Sequence, residues 1–314
     1  MKPNILVICG PTASGKTALA VALAKALNGE VVSADSMQVY RRMDIGTAKP
    51  TVEEMDGVPH HMLDVADPEE NYSVARYVAD AVPVVDGILA RGRLPIVAGG
   101  TGLYIDNLVA GRQFAPFPAD SGLREELQSR ARTEGLPVLL EELRAVDPAA
   151  AERLHPNDEK RIIRALEVYR ATGRTITQHN LETQAIPDRY APLTIALNFR
   201  ERPRLWERID RRVDVMMEQG LEREVRQLLA DGVPPDCTAM QAIGYKELAA
   251  AIAEGRPVRD GAEEIKLRSR QYAKRQLTWF RRNKAAHWIE WEKTPDFSAA
   301  VAYSTDLAHQ AGLQ

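Results

Sequence analysis

The sequence predicts an α/β fold, a parallel sheet flanked by helices and interrupted by a helical insertion, and three observations carry that prediction. The apolar run Ile5 to Cys9 empties into a glycine-rich loop and then into Ala18 to Ala24, a string of strong helix formers. Short β-branched segments at Glu30 to Asp35, Leu94 to Ala98 and Leu193 to Asn198 alternate with helical ones, the order that builds parallel strands. From residue 114 to residue 191 this alternation stops and the chain turns helical and charged.

The loop after the first strand reads Gly10-Pro11-Thr12-Ala13-Ser14-Gly15-Lys16-Thr17, the pattern G-x-x-x-x-G-K-[ST]. Its glycines let successive backbone N–H groups wrap an anion, the lysine adds a point charge, and the threonine hydroxyl adds a magnesium ligand. The helix that follows points its N-terminus at the same place. The fold is therefore P-loop NTPase-like, and the loop alone does not distinguish a nucleotide such as ATP from another diphosphate.

The composition bounds the rest. With 45% hydrophobic and 27% charged residues in 314, the chain has the profile of an ordinary globular protein. No stretch approaches the roughly 18 apolar residues of a membrane span and no leader is visible, so a cytoplasmic location is expected. Cys9 and Cys237 fit a reducing compartment, have no zinc spacing, and are read as passive. A net charge of −3 excludes an all-over basic coat, so any nucleic-acid site must be a local patch.

In chain order, Asn28-Gly29 turns into the second strand, which delivers Asp35 at its C-terminal end, the end that faces the ligand crevice in open α/β sheets. A turn aspartate gives the same pattern. Residues 36 to 50 have no clean period and read as a functional loop. His60-His61 lacks ligand-spaced partners and is assigned nothing. Ser73 caps a helix running to Arg91, weakened by Pro83 and Gly87, and the strand Leu94 to Ala98 ends in Gly99-Gly100-Thr101-Gly102, a second place where backbone can approach a ligand. The stretch Phe114 to Pro118 marks a domain boundary. Helices are expected at Leu123 to Glu134, Pro137 to Val146, Pro148 to Leu154 and Asp158 to Ala171, the last carrying Lys160, Arg161 and Arg164; Thr175 to Pro187 reads as a polar loop. The returning strand at Leu193 makes residues 114–191 an insertion into a core formed by 1–113 and 192–314.

Helix Pro203 to Gln219 places Leu205, Ile209, Val213 and Met216 on one face and Arg208 and Arg212 on another, either surface arginines paired with acids or an anion clamp. Near the end, Lys266, Arg268, Arg270, Lys274, Arg275, Arg281, Arg282 and Lys284 interleave with Tyr272, Trp279 and Phe280, a mixture that suits RNA phosphates and unstacked bases, although Phe280 is a core candidate. The last strand is His287 to Ile289, and the tail beyond it looks dispensable.

Several motifs in a fixed order carry a resemblance. GPTASGKT at Gly10, DSMQ at Asp35, MDIGTAKP at Met43, GGTGLY at Gly99, HPNDEKRIIRALEV at His155, RIDRR at Arg208 and QAIGYK at Gln241 together resemble the tRNA dimethylallyltransferase (tRNA isopentenyl-diphosphate transferase) family, over residues 5 to about 290. The resemblance implies transfer of a dimethylallyl group from dimethylallyl diphosphate to the exocyclic amine of the adenosine 3′ of the tRNA anticodon, with Mg2+ at Thr17. It implies that Gly10 to Thr17 hold the diphosphate, that Asp35 is the base, that Thr101 stands between the substrates, and that Arg212 clamps the diphosphate with Arg208 in support. It places tRNA against Asp35, Ser36, Met37, Gln38, Thr101, Arg124, Lys160, Arg161, Ile162, Ile163, Arg164, Gln241, Gly244, Tyr245 and Lys246, with the target base flipped out of its stack. Two positions depart from the family pattern: Gln241 stands where some relatives carry a basic residue, and Arg42 replaces a common glycine. A monomer is expected. An adenine-nucleotide prenyltransferase, a small-molecule P-loop kinase and a non-catalytic RNA-binding module are the competing functions, although the strand ending in Gly99-Gly100-Thr101 lacks the magnesium-supporting aspartate of a kinase.

Overall fold

The computed structural model describes residues 2–112, 121–184 and 186–313. They form two compact units, Met1–Gly111 with Asp188–Gln314, and Arg112–Pro187. The Phe114 to Pro118 stretch lies outside the described residues.

The first unit runs β1 (Asn4–Cys9), α1 (Lys16–Ala26), β2 (Gly29–Ser33), α2 (Val52–Met55), β3 (His60–His61), α3 (Val74–Ala90), β4 (Leu94–Gly99) and α4 (Gly102–Ala110). The second runs α5 (Ser121–Thr133), α6 (Leu136–Val146), α7 (Pro148–Arg153), α8 (Glu159–Thr172) and α9 (Ile176–Gln184). The chain then returns to the first unit as β5 (Ala191–Phe199), α10 (Arg202–Gln219), α11 (Leu221–Ala230), α12 (Tyr245–Ala253), α13 (Val258–Phe280), β6 (His287–Trp291) and α14 (Phe297–Gln310).

Six strands form one sheet in the order β3-β2-β4-β1-β5-β6, and every pairing is parallel. The central strand β1 pairs with β4 on one side (Ile8 opposite Ala98) and β5 on the other (Ile8 opposite Ile195). Ile5 to Ile8 are fully buried, the continuous apolar run expected of a strand covered on both faces. Ser73 caps α3 by accepting from the Arg76 N–H at 3.2 Å, and the helix continues through Pro83. On α10, Leu205, Ile209 and Val213 are buried as the spacing requires, while Met216 is only half-buried.

Two expectations are corrected. Thr175 to Pro187 is not a loop, because α9 occupies most of it. Thr175 and Gln178 close a reciprocal cap, with Gln178 N–H donating to Thr175 Oγ1 at 3.1 Å and Thr175 N–H to Gln178 Oε1 at 3.0 Å. Asp147, which caps α7 by accepting from Ala150 N–H, also accepts from Thr177 N–H and Oγ1, and so docks the short helix. Nor is the C-terminal tail dispensable. Trp291, Ala300, Ala308 and Leu313 belong to the same buried cluster as Leu19, Leu23 and Ile195, and α14 packs along α1. No helix among the described residues is long and apolar enough to cross a membrane.

Candidate active site

The segments that follow β1, β2 and β4 leave neighbouring parallel strands at their carboxyl ends, where an open α/β sheet forms its ligand crevice. The loop Gly10 to Thr17 leaves β1 with Gly10 at φ +149°, and a β-carbon there would stand 2.6 Å from the Leu197 carbonyl of β5, so only glycine makes this exit. Three side chains grip its outside. Gln276 Oε1 accepts from Thr12 N–H at 2.9 Å, Arg208 Nε donates to the Ala13 carbonyl at 3.1 Å, and Trp291 Nε1 donates to the Ser14 carbonyl at 2.8 Å. Carbonyl and N–H of a trans peptide point opposite ways, so holding the Ser14 carbonyl outward aims the Gly15 N–H inward. Ser14 Oγ is buried with no hydrogen-bond partner among the described residues, and Lys16 Nζ folds back onto the Pro11 carbonyl at 2.8 Å.

Lys16, Arg212 and Asp35 form one electrostatic group. Burial, and then the Arg212 charge, push the Lys16 ammonium down to about 8, while Asp35 opposes them. Burial likewise lowers Arg212, again against Asp35. Two like charges held together with one carboxylate nearby make a place short of negative charge, which a diphosphate would supply. Arg208 is occupied otherwise, on the Ala13 carbonyl and 5.3 Å from the Phe199 ring centre. Burial raises the Cys9 thiol to about 12, which keeps it protonated.

On the acid's side, Asp35 Oδ1 accepts from Met37 N–H at 2.9 Å. Thr101 Oγ1 accepts from Ser36 N–H at 3.0 Å and donates to Ser36 Oγ at 3.3 Å, which ties the end of β4 to the end of β2. Gln38 is held at both ends of its amide: Oε1 accepts from Ser33 Oγ at 2.9 Å, and Nε2 donates to the carbonyls of Thr47 and Ala48 at 3.3 and 3.1 Å. The structure thus brings together the Gly10 to Thr17 loop, Asp35 to Gln38, Thr101 and Arg212.

Other expected contacts are distributed differently. In the second unit, the block 160–164 is not one surface, since Ile162 and Ile163 lie in the core with Leu127, Leu139 and Leu143. Lys160, Arg161 and Arg164 are exposed; Arg161 pairs with Asp158, and Arg164 and Arg124 both reach the buried Glu167 at 2.7 and 2.8 Å. Those guanidinium groups hold the Glu167 carboxyl below its ordinary range despite burial. Back in the first unit, Gln241 and Lys246 are exposed, whereas Gly244 and Tyr245 are buried, Gly244 N–H donating to Glu247 at 2.8 Å and Tyr245 hydroxyl to Glu224.

Tyr272, Gln276, Trp291 and Glu224 are site residues that the sequence reading did not single out for these roles. On α13, Gln276 shares the buried face of Ala273 and Phe280 and donates from Nε2 to the Gly100 carbonyl at 2.9 Å, so one amide bridges two loops. A β-carbon on Gly100 would collide with that amide. Its burial periodicity was the available signal. The Tyr272 phenol is raised to about 12 by burial and the Asp35 charge, against its hydrogen bonds with Thr101 and Gln276.

Comparison with known proteins gives a consistent picture. The family model for IPP transferase matches residues 38–283, and that for isopentenyl transferase matches residues 3–70. A tRNA dimethylallyltransferase of Thermoanaerobacter sp. (strain X514) is 46% identical over 298 residues, 95% of this chain and 94% of its own. Among solved structures, the full-length tRNA isopentenylpyrophosphate transferase of Bacillus halodurans is 42% identical with a TM-score of 0.73, covering 100% of this chain and 97% of that one. A eukaryotic dimethylallyltransferase acting on tRNA is 30% identical with a TM-score of 0.82, covering 98% of this chain and 80% of that one.

Proposed function

Since the chain belongs to the tRNA dimethylallyltransferase family, the IPP transferases, we propose that it transfers a dimethylallyl group from dimethylallyl diphosphate to the exocyclic amine of the adenosine 3′-adjacent to a tRNA anticodon. The observation that supports these roles best is the placement of the Asp35 carboxylate within the field of both Lys16 and Arg212.

The diphosphate binds to the inward N–H groups of the Gly10 to Thr17 loop, with Lys16 and Arg212 on its oxygens. As the amine nitrogen bonds to the terminal carbon of the allyl group, the carbon–oxygen bond to diphosphate breaks, and these cations stabilise the charge that collects on the leaving group. Asp35 accepts the proton that the amine sheds. An adenine amine is a weak nucleophile, so its orientation counts as much as the base, and the Thr101 hydroxyl, fixed on Ser36, stands on the border between the two substrates. The adenosine must leave its stack to reach a half-buried carboxylate just beyond the end of β2.

The family calls for a divalent metal, and magnesium suits the donor set. Among the described residues no cluster of His, Cys, Asp or Glu is arranged to hold a metal by itself, which is how magnesium on a diphosphate is usually held, by substrate oxygens and one or two protein oxygens. Thr17 Oγ, in the first turn of α1, is the ligand the chain offers, and the partnerless Ser14 Oγ is a further oxygen in the same loop. A metal held there would offset diphosphate charge.

The test is transfer of labelled dimethylallyl from its diphosphate, with magnesium, into unmodified tRNA carrying adenosine beside the anticodon, against the same tRNA with guanosine there. Label is expected only with adenosine. Label entering free adenine nucleotides instead, or ATP turnover without label in tRNA, would overturn the reading.

A further inference from the structure

The loop that opens the MDIGTAKP stretch is folded around an anion that the chain itself supplies. Three successive backbone N–H groups converge on one carboxylate: Asp44 and Ile45 donate to Glu224 Oε2 at 3.0 and 2.9 Å, and Gly46 donates to Oε1 at 3.2 Å. The Tyr245 hydroxyl donates to Oε1 as a fourth bond. Glu224 lies on α11, anchored by the buried Leu221, Val225 and Leu228. Tyr245 opens α12 fully buried, and its ring lies against Gly46, where a β-carbon would collide with it. Burial and the Glu224 charge push the phenol well above its ordinary range, so it stays a donor. An ionised carboxylate taking four donors is a strong fixture, and removing it leaves three convergent N–H groups without their acceptor.

The far side of this loop meets the acceptor side of the site. Thr47 Oγ1 donates to the Met43 carbonyl at 2.6 Å, and the carbonyls of Thr47 and Ala48 hold the Gln38 amide. Gln38 closes the segment Asp35 to Gln38, whose other end is the proposed base. A second fixture, Lys49, is nearly buried between Asp44, Asp64 and the Tyr40 carbonyl, and holds the end of the loop without touching its three N–H groups.

We propose that Glu224, braced by Tyr245, is a positioning residue for tRNA: it sets the conformation of residues 44–48, and through Gln38 it sets the surface on which the target nucleotide is received. This rests on the function proposed above, and it gives the buried tyrosine of the QAIGYK motif a role that does not need contact with RNA.

Glu224→Gln keeps the shape and replaces one acceptor oxygen with an NH2 that faces donors. In the full-length enzyme we expect the KM for tRNA to rise about tenfold and tRNA affinity by filter binding to fall with it, while the KM for dimethylallyl diphosphate stays within about twofold. Tyr245→Phe removes one of the four bonds and should shift the same two quantities in the same direction by about threefold. A general weakening of the fold would raise both Michaelis constants or lower the active fraction, and would not separate them. If either variant folds with unchanged tRNA KM and affinity, or if donor KM rises equally, the assignment is wrong. Where Glu224→Gln fails to fold, Tyr245→Phe alone decides. Absence of transfer by the wild-type enzyme would sink the proposed function instead, and the filter-binding comparison still reads the role of Glu224.

Discussion

The donor loop, Gly10 to Thr17, and the acceptor-side loop, Asp44 to Ala48, use the same backbone device for opposite ends. Each bends so that neighbouring N–H groups converge on negative charge. In the first, the proposed charge is that of a substrate diphosphate, which would arrive and leave, and the chain grips the loop through Gln276, Arg208 and Trp291. In the second, the charge is Glu224 and never leaves, so the loop is a finished structural part whose outer carbonyls hold Gln38. A concave row of N–H groups is therefore a substrate site only when the chain does not fill it.

The largest break of this comparison comes from Asp35, the proposed base, whose charge acts on both Lys16 and Arg212. Asp35→Asn retains an oxygen for the Met37 N–H and so leaves both loops standing. It removes the proton acceptor, and kcat for transfer should fall about a thousandfold, with the KM for tRNA and for the diphosphate little changed in steady-state assays. A loss that appeared mainly in either KM would mean that Asp35 shapes a loop and does not take the proton.

The second difference is one of pH. In the donor-free enzyme the Lys16 ammonium is held at about 8 by burial and Arg212, with Asp35 opposing. Raising the pH through that value discharges the lysine, so kcat/KM for dimethylallyl diphosphate should decline above pH 8, whereas kcat, measured with the diphosphate bound and its charge holding the proton on, should persist to higher pH. Because the folded value lies below the ordinary lysine value of 10.5, the unfolded chain binds the extra proton between these limits, and this one group makes the fold more stable as pH rises from 8 to 10.5. At saturating diphosphate, kcat/KM for tRNA should show no matching decline with pH, and a parallel decline would erase the distinction between the two loops.

Legibility in the sequence follows the distance between a feature and its cause. The sheet, the P-loop and the place of Asp35 were readable because each is written within a few consecutive residues: an apolar run, two glycines at fixed spacing, an acid at a strand end. The role of Trp291 was not readable, because its indole matters only through a carbonyl 277 positions earlier. The same holds for Glu224, one of two acids on α11 until three N–H groups some 180 positions away are folded onto it. Ile162 and Ile163 show a different failure: a motif copied as a block carries core residues along with the surface ones, and only the helical period separates them. The helix at Ile176 is written locally, in the T-x-x-Q cap, but its weak apolar pattern hides it.

Arg42, at the entrance to the acceptor-side loop, offers the smallest test and explains the departure from the family's glycine. Its backbone sits at φ +65°, the left-handed region that glycine enters freely and that costs another residue about 1 kcal/mol. The side chain offsets part of this by pairing with Glu69 at 3.0 Å and Asp231 at 3.2 Å, exposed pairs contributing at most about 1 kcal/mol each. Arg42→Gly relieves that strain, loses the exposed pairs and gives the unfolded chain about 0.5–1 kcal/mol more freedom, so with pairs at the low end of their range the net loss is about 1 kcal/mol or less. The melting temperature should move by no more than about 4 °C. Arg42→Ala keeps the strain while losing the same pairs. It should melt below Arg42→Gly if the backbone conformation is what calls for glycine here, and above it if the ion pairs alone held the turn in place.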